Sequence, residues 1–351
     1  MAEGWVAPAA RVVAVVTAVR IVALWFNQTD LYVDESQYWL WGQQLDFGYF
    51  SKPPLIGWVI RAVTDLAGSD AAFWVRLPAS LFHAATALIL GSLAARHFGR
   101  VAAIWVATSY VTLPFVALGS LLISTDTIMA PFYAAALLFH FRAVETRRVG
   151  AAAVAGLCIG LAFLAKYAAA YFLLGAALAA IAAPEARLAA RQTVTMLAVF
   201  ALTIAPNVAW NLTHDLATVE HTMDNIGWVR GGTGAAGLNL SGLAEFALAQ
   251  FAVFGPILFG ALIWGWLRGG MPQRRALTAF SLPVLLIVCT QALLSRAYAN
   301  WAVATYFAGL LIAVPLLLTR VRWMLRASVT VNGAICLLLP LLTLLAPWPL
   351  L

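Results

Sequence analysis

The sequence has 351 residues, of which 63% are apolar and only 10% are charged, and its formal net charge is +7. Soluble domains are about half apolar and about a quarter charged because their surfaces face water, so this composition excludes a soluble domain and predicts an integral membrane protein. The basic residues lie in short clusters between apolar runs and form no continuous basic face, so nucleic acid is not an expected partner.

Long apolar runs predict an all-α polytopic protein, with one integral membrane domain over residues 1–351. A helix needs about 20 apolar residues to cross roughly 30 Å of hydrocarbon. Runs of about this length lie near residues 12–26, 77–95, 101–118, 127–144, 193–210, 243–267, 277–294, 302–318 and 329–345. Arg20 interrupts the first run and no small-residue cleavage site follows, so we interpret this run as a retained span rather than a signal peptide.

Arginine clusters indicate which loops face the cytoplasm. The stretch 150–183 is too long for one ordinary span and short for two, but two short helices meeting at Lys166 and Tyr167 keep the later clusters inside. This arrangement predicts about eleven transmembrane helices, a cytoplasmic N-terminus, and outer loops at 27–76 and 211–242 that are long enough to hold a site. It also places Lys166 below the outer surface, where a lone cation needs an anionic partner or a cavity. The clusters are Arg96 with Arg100, Arg142 with Arg147 and Arg148, Arg187 with Arg191, Arg268 with Arg274 and Arg275, and Arg320 with Arg322 and Arg326.

The first outer loop carries the residues best suited to chemistry. Adjacent Asp34 and Glu35 begin a predicted helix, and Lys52 is followed by two prolines that restrict the backbone. A carboxylate that deprotonates an acceptor and a cation that neutralises a departing phosphate are the groups that transfer from a lipid phosphate requires. Two structural alternatives remain open: Asp34 as a helix N-cap with Gln37 three positions on, and Lys52 as a lysine that extends to the membrane interface.

Further motifs follow the acidic pair in a fixed order along the chain. They are GYFSKPPLIGW at 48–58, WVRLPASL at 74–81, STDTIMAPF at 124–132, LAKYAAAYFLL at 164–174, WNLTHDLATVEH at 210–221 and ANWAVATYF at 299–307. Together these motifs resemble bacterial glycosyltransferase family 39, which includes protein O-mannosyltransferases and the lipid A aminoarabinose and galacturonic acid transferases. The resemblance implies a GT-C membrane fold whose outer-face loops carry the site, a polyprenyl-phosphate sugar donor, and inversion at the anomeric carbon.

Carried over residue by residue, the resemblance implies that Asp34 is the catalytic base and Glu35 its acidic neighbour. Lys52 matches the lysine that faces the carrier phosphate, and we expect Lys166 or Arg76 to help it. If a metal takes part, the carboxylates that could hold Mg²⁺ or Mn²⁺ are those of Asp34, Glu35 and Asp126. The residues expected to support the site are Tyr38, Tyr49, Asp126, Tyr167, His221 and Asn300.

The sequence therefore predicts a glycosyltransferase of the bacterial inner membrane with its site facing the periplasm or the exterior. An acceptor hydroxyl or amine, activated by Asp34, would attack the anomeric carbon and expel polyprenyl phosphate, and the acceptor could be a lipid, a glycan or a protein. The chain stops at Leu351, so no soluble C-terminal domain is expected and the outer loops would recognise the acceptor. Two alternatives remain open: a transporter or lipid flippase without chemistry, and another lipid-linked glycan ligase or polymerase.

Overall fold

The computed structural model describes residues 4–225, 227, 238–268 and 273–345. Within these ranges the chain forms fifteen α-helices and three short 3-10 helices, at Tyr167–Ala170, Pro184–Ala186 and Ala299–Ala302, and it has no strand there. The α-helices are α1 Val6–Phe26, α2 Val33–Gln43, α3 Leu55–Ala67, α4 Ala72–Val111, α5 Pro114–Leu118, α6 Thr125–Thr146, α7 Val149–Ala165, α8 Tyr171–Ala182, α9 Ala190–Thr213, α10 Ala217–Asn225, α11 Leu240–Phe254, α12 Pro256–Leu267, α13 Arg274–Leu294, α14 Ala304–Arg320 and α15 Arg322–Leu345.

Six of the described helices are long and apolar enough to cross a membrane, and the bent pair α11 and α12 makes a seventh if it is counted as one span. Three further apolar helices, α7, α8 with the 3-10 turn before it, and α14, are shorter. Helix α4 is 40 residues long and contains the predicted span 77–95 and most of the predicted span 101–118, on either side of Gly99 with φ +83°. The all-helical membrane fold is confirmed, whereas the predicted number of eleven spans is not.

The chain breaks at Lys166, as the sequence predicted. Helix α7 ends at Ala165, Lys166 has extended backbone with φ −157° and ψ 128°, and the 3-10 turn at Tyr167–Ala170 leads into α8. The Lys166 N–H still bonds to the Ala162 carbonyl at 2.9 Å, so the last turn of α7 stays closed. The break therefore sets the Lys166 side chain at a helix end, where it can turn towards the neighbouring helix α6.

The predicted span over 243–267 is not one straight helix. Helices α11 and α12 meet at 110°, and the residue between them is Gly255 with φ +84°. A side chain is excluded there because an added Cβ would lie 2.5 Å from Oδ1 of Asn332 on α15. Pro256 then starts α12 without an N–H to bond back into α11.

The core lies around α14, in which every residue from Ala304 to Leu317 is buried. A helix that is apolar on all sides belongs at the centre of a bundle. Helices α4, α6, α12, α13 and α15 pack around it. The predicted outer loop 27–76 contains α2 and α3, which lie against each other and against α4. The site is thus carried by short helices at one end of a packed bundle.

Candidate active site

Helix α2 presents the acidic pair. The backbone N–H of Tyr32, the N-cap residue, donates to Oε2 of Glu35 at 3.0 Å, so Glu35 closes the helix start. The alternative that Asp34 is the N-cap is wrong, because Asp34 lies inside the first turn of α2. Its side chain is exposed and accepts no hydrogen bond from the part of the chain that the structure describes. Asp34 is therefore a carboxylate available to bind or deprotonate a ligand.

Glu35 and Arg76 form a buried ion pair with Nη2 and Oε2 2.7 Å apart and side chains 2% and 1% exposed, respectively. The Arg76 Nε also donates to Glu35, at 3.0 Å to Oε1. The remaining guanidinium N–H groups donate to the carbonyls of Thr29 at 3.0 Å and Asp30 at 2.7 Å, and to the Thr29 hydroxyl at 3.2 Å. Glu35 Oε1 accepts the backbone N–H of Ile123 at 2.9 Å. The pair therefore joins α2 to α4, to the segment after α1, and to the segment before α6.

Lys166 and Asp126 form a second ion pair. The Lys166 ammonium lies 2.7 Å from both carboxylate oxygens of Asp126, and Asn300 Nδ2 donates to Oδ2 at 2.8 Å. Asp126 is in the first turn of α6 and is not its N-cap, since Ser124 takes that position and accepts the Thr127 N–H at 3.3 Å. Three residues predicted from separate motifs are thus in direct contact.

Lys52 lies among these charges. Its side chain is half-buried, and its ammonium has no hydrogen-bond or ion-pair partner among the described residues. Burial lowers the pKa of Lys52, the nearby Lys166 charge acts in the same direction, and Asp34 and Asp126 raise the pKa. The four charged groups therefore lie within electrostatic reach of one another and form one candidate site. The chain contains only two lysines, and both are in it.

Tyr38 lies one turn after Asp34 on α2 and is 3% exposed. Burial raises the pKa of its phenol, and the charges of Asp34, Asp126 and Glu35 raise it further. The phenol therefore stays protonated at neutral pH and can act as a hydrogen-bond donor beside Asp34.

Tyr167 connects the site to α9. Its hydroxyl donates to Oδ1 of Asn207 at 3.0 Å and accepts from Nδ2 of Asn211 at 3.2 Å. Asn207 Nδ2 in turn donates to the carbonyl of Phe47 in the first outer loop at 2.7 Å. Sequence reasoning did not select the two asparagines, although amides four residues apart at the end of an apolar span are a usable signal.

Tyr49 and His221 shape the loop around Lys52. The Tyr49 ring stacks on Trp41, with centroids 5.0 Å apart, and its hydroxyl lies 2.9 Å from the Trp41 carbonyl that it can donate to. The hydroxyl of Thr218 on α10 donates to the Tyr49 carbonyl at 2.6 Å. The His221 ring lies 5.0 Å from the Phe50 ring, and burial together with the Lys52 charge lowers the pKa of His221. Residues 226 and 228–237 of the predicted second loop lie outside the described residues.

The carboxylates do not form a set of metal ligands. The oxygens of Glu35 are taken by Arg76, Tyr32 and Ile123, and those of Asp126 by Lys166 and its neighbour Asn300. Within the described ranges, no group of three or more His, Cys, Asp or Glu residues is placed to hold a metal ion. Of the three carboxylates expected to hold a metal, only that of Asp34 has no partner among the described residues, so these three residues do not fit a protein-held divalent cation.

The all-helical membrane bundle, with an unpaired carboxylate and two lysines at one end, agrees with the expected GT-C-type transferase. Residues 51–210 match the family described as dolichyl-phosphate-mannose-protein mannosyltransferase. The lipid A galacturonosyltransferase RgtD of Rhizobium johnstonii is 46% identical over 331 residues, which are 93% of this chain and 68% of that protein. The chain belongs to the GT-C glycosyltransferase family.

Two crystal structures of ArnT from Cupriavidus metallidurans share the fold. The apo structure superposes with a TM-score of 0.63 at 18% identity, covering 93% of this chain and 62% of ArnT. The structure bound to undecaprenyl phosphate gives 0.68 at 19% identity, covering 95% of this chain and 64% of ArnT. The chain thus spans less than two thirds of the length of these ArnT chains, and at this identity the likeness concerns the fold alone.

Proposed function

We propose that the protein is an inverting glycosyltransferase that moves a sugar from a polyprenyl-phosphate donor to an acceptor, with Asp34 as the general base. The observation that carries the proposal is the presence in one site of a free carboxylate, Asp34, and a free ammonium, Lys52. A transporter without chemistry has no need of a general base. The description of the matched family and the name of RgtD also support sugar transfer.

The proposed reaction is a single displacement. An acceptor hydroxyl or amine gives its proton to Asp34 as its oxygen or nitrogen forms a bond to the anomeric carbon. The bond from that carbon to the phosphate oxygen breaks on the opposite face, so the configuration inverts. The leaving polyprenyl phosphate gains negative charge, and the ammonium of Lys52 stabilises that charge as it develops.

Lys166 has a conditional role in the proposal. Both carboxylate oxygens of Asp126 accept from its ammonium at 2.7 Å, and Asn300 holds Asp126 in turn by donating to Oδ2 at 2.8 Å. A donor phosphate entering beside Lys52 would compete with Asp126 for the Lys166 ammonium. We therefore assign Lys166 to donor binding and Asp126 to keeping this lysine oriented before the donor arrives.

Glu35 and Arg76 are assigned to positioning. Every guanidinium N–H of Arg76 already has an acceptor and its side chain is 1% exposed, so a donor phosphate has no access to it. Glu35 is equally buried, and proton transfer to it would cost its bond to Arg76. The sequence expectation that Arg76 binds phosphate and Glu35 takes part in catalysis is thus replaced by a shared role in holding α2 against the segment before α6.

For the substrates, the similarity to a lipid A galacturonosyltransferase favours galacturonic acid as the sugar and lipid A as the acceptor. The structural likeness to ArnT bound to undecaprenyl phosphate favours a carrier of that class. The arginine clusters favour an inner-membrane protein with Asp34 on the periplasmic side.

Purified protein, supplied with radiolabelled polyprenyl-phosphate galacturonic acid and lipid A, tests the proposal by transfer of label to lipid A. The Asp34→Asn variant is the matched blank. Release of label only as free sugar, or movement of labelled donor across proteoliposomes without product, would contradict it. Donors carrying other sugars determine specificity in the same assay.

A further inference from the structure

A groove of about 330 Å³ lies at the opposite end of the bundle from the site, between α12, α14 and α15. Its lining is apolar, with Gly260 and Trp264 on α12, Leu317 on α14 and Met324 on α15. Gly260 is exposed, and a Cβ added there would meet no atom within 4 Å, so this wall of the groove is open. The groove therefore offers apolar surface without a protein partner among the described residues.

Two arginines lie beside one end of this groove. Trp264 stands four residues before Arg268 and Leu317 three residues before Arg320, so each arginine follows a lining residue by about one helical turn on the same side. The side chains of both arginines are exposed, and neither side chain forms an ion pair or hydrogen bond with a described residue. Helices α12 and α14 thus end in uncompensated positive charge beside one apolar groove.

The position of α14 excludes the donor as occupant. This helix begins just after Asn300, which contacts Asp126 in the site, and it ends at Arg320. Its 17 residues span about 25 Å. A phosphate held by the arginines is therefore a helix length away from Lys52, at the level of the other membrane leaflet.

We propose that the groove and its arginines bind an anionic phospholipid, with one acyl chain in the groove and the lipid phosphate against the arginines. The orientation of the protein in the membrane is enough to explain arginines in cytoplasmic loops, but it does not explain an apolar groove beside them. Basic pockets between transmembrane helices suit anionic headgroups, and Trp323, which is 69% exposed, stands where tryptophans mark the interface. The lipid would support α12, which Gly255 separates from α11.

Phosphatidylglycerol with brominated acyl chains tests the proposal, because bromine quenches tryptophan fluorescence at contact and Trp264 lines the groove. We expect saturable quenching by this lipid at a concentration at least tenfold lower than by brominated phosphatidylcholine. The Trp264→Phe variant should lose the saturable part of the signal. Equal half-saturation for the two lipids would overturn the proposal.

Two glycines provide matched variants. Gly260→Leu fills the groove and should raise the half-saturating concentration at least tenfold. Gly333→Leu, at a half-exposed glycine of α15 whose added Cβ also meets nothing within 4 Å, should leave it unchanged. The double variant Arg268→Gln, Arg320→Gln should remove the preference for the anionic lipid. Unaltered thermal unfolding confirms that each variant is folded. Saturable binding that survives Gly260→Leu would overturn the proposal, because it would show that the lipid binds without entering the groove.

Discussion

Glu35 and Arg76 face each other with Oε2 and Nη2 2.7 Å apart, and almost no water reaches either side chain. Removing one charge of such a pair leaves the other buried and unpaired, which costs about 3 to 5 kcal/mol. We expect Glu35→Gln to lower the free energy of unfolding by that amount, measured by denaturant titration in detergent. The control is Asp65→Asn, which breaks the exposed pair with Arg61 and should change stability little. Equal stability of the Glu35 variant and the parent would refute the positioning role.

Asp34 should behave in the opposite way. Because it is exposed and does not cap α2, Asp34→Asn should leave thermal unfolding unchanged while turnover falls about 10²-fold or more, since an amide cannot accept the proton. The matched control is Asp30→Asn, four residues earlier, which should leave both turnover and thermal unfolding unchanged. The Asp30 carboxylate is exposed, and Arg76 is bound by the backbone carbonyl of Asp30 rather than by its side chain. A fully active Asp34→Asn protein would defeat the proposed mechanism.

The lowered pKa of Lys52 predicts that catalytic activity depends on pH. Burial and Lys166 lower its pKa, so the ammonium is lost at a lower pH than in an ordinary lysine, and kcat/KM of the free enzyme should decline there. The unfolded chain binds the additional proton in this interval, so stability rises with pH between the folded and unfolded pKa values. Lys52→Ala should lower turnover about 10²-fold, and Lys52→Arg should keep part of the activity and move the decline to higher pH.

The Lys52 pKa can be measured directly, because the chain contains only two lysines. The rate of amine acylation at Lys52, followed by mass spectrometry across pH, reports its deprotonation. An ordinary lysine profile, together with full activity of Lys52→Ala, would show that Lys52 has no role in phosphate stabilisation.

Chelation is expected to leave turnover unchanged within twofold. The reason is the occupation of the carboxylates, since Glu35 is bound to Arg76 and Asp126 to Lys166, which leaves Asp34 as a single ligand. The measurement is sugar transfer after treatment with EDTA, with readdition of Mg²⁺ or Mn²⁺. Activity that disappears with EDTA and returns with one of these ions would contradict this prediction. It would indicate that Asp34 and the donor phosphate bind the metal ion jointly.

Orientation is testable by labelling with an impermeant maleimide in a variant without the native cysteines. Cysteines placed at Asp30 and His221 should react in cells whose inner membrane is intact. Cysteines at Arg148 and Arg275 should react only after the membrane is opened. Labelling of the Arg148 position in intact cells is the result that the topology does not allow.

The membrane fold could be predicted from the sequence because lipid imposes strong rules on composition and loop charge. The break at Lys166 could be predicted because two short helices there keep the later arginine clusters on the cytoplasmic side of the membrane. The break at Gly255 was missed, although a Gly-Pro pair inside an apolar run is a recognisable signal. The close approach of Asn332 to Gly255 at this 110° bend could not be predicted, because Asn332 is remote in sequence and no local pattern reveals its packing.

The motifs brought the correct residues to attention but did not separate their tasks. Asp34 and Glu35 are neighbours in sequence, yet one is exposed and the other is buried against Arg76. The difference arises from helix geometry and from a partner 41 positions away, neither of which a short motif contains. The contact of Lys166 with Asp126 was likewise absent from the sequence prediction, although both residues were in it.

Asn207 and Thr218 hold the first outer loop through the carbonyl oxygens of Phe47 and Tyr49, which any amino acid would supply equally well. The side chains of Phe47 and Phe50 remain 50% and 62% exposed. Mutations that replace such side chains therefore leave the path of the loop intact. During divergence, this loop can acquire new acceptor preferences while Lys52 stays in place, and relatives that act on different acceptors should differ first at these exposed positions.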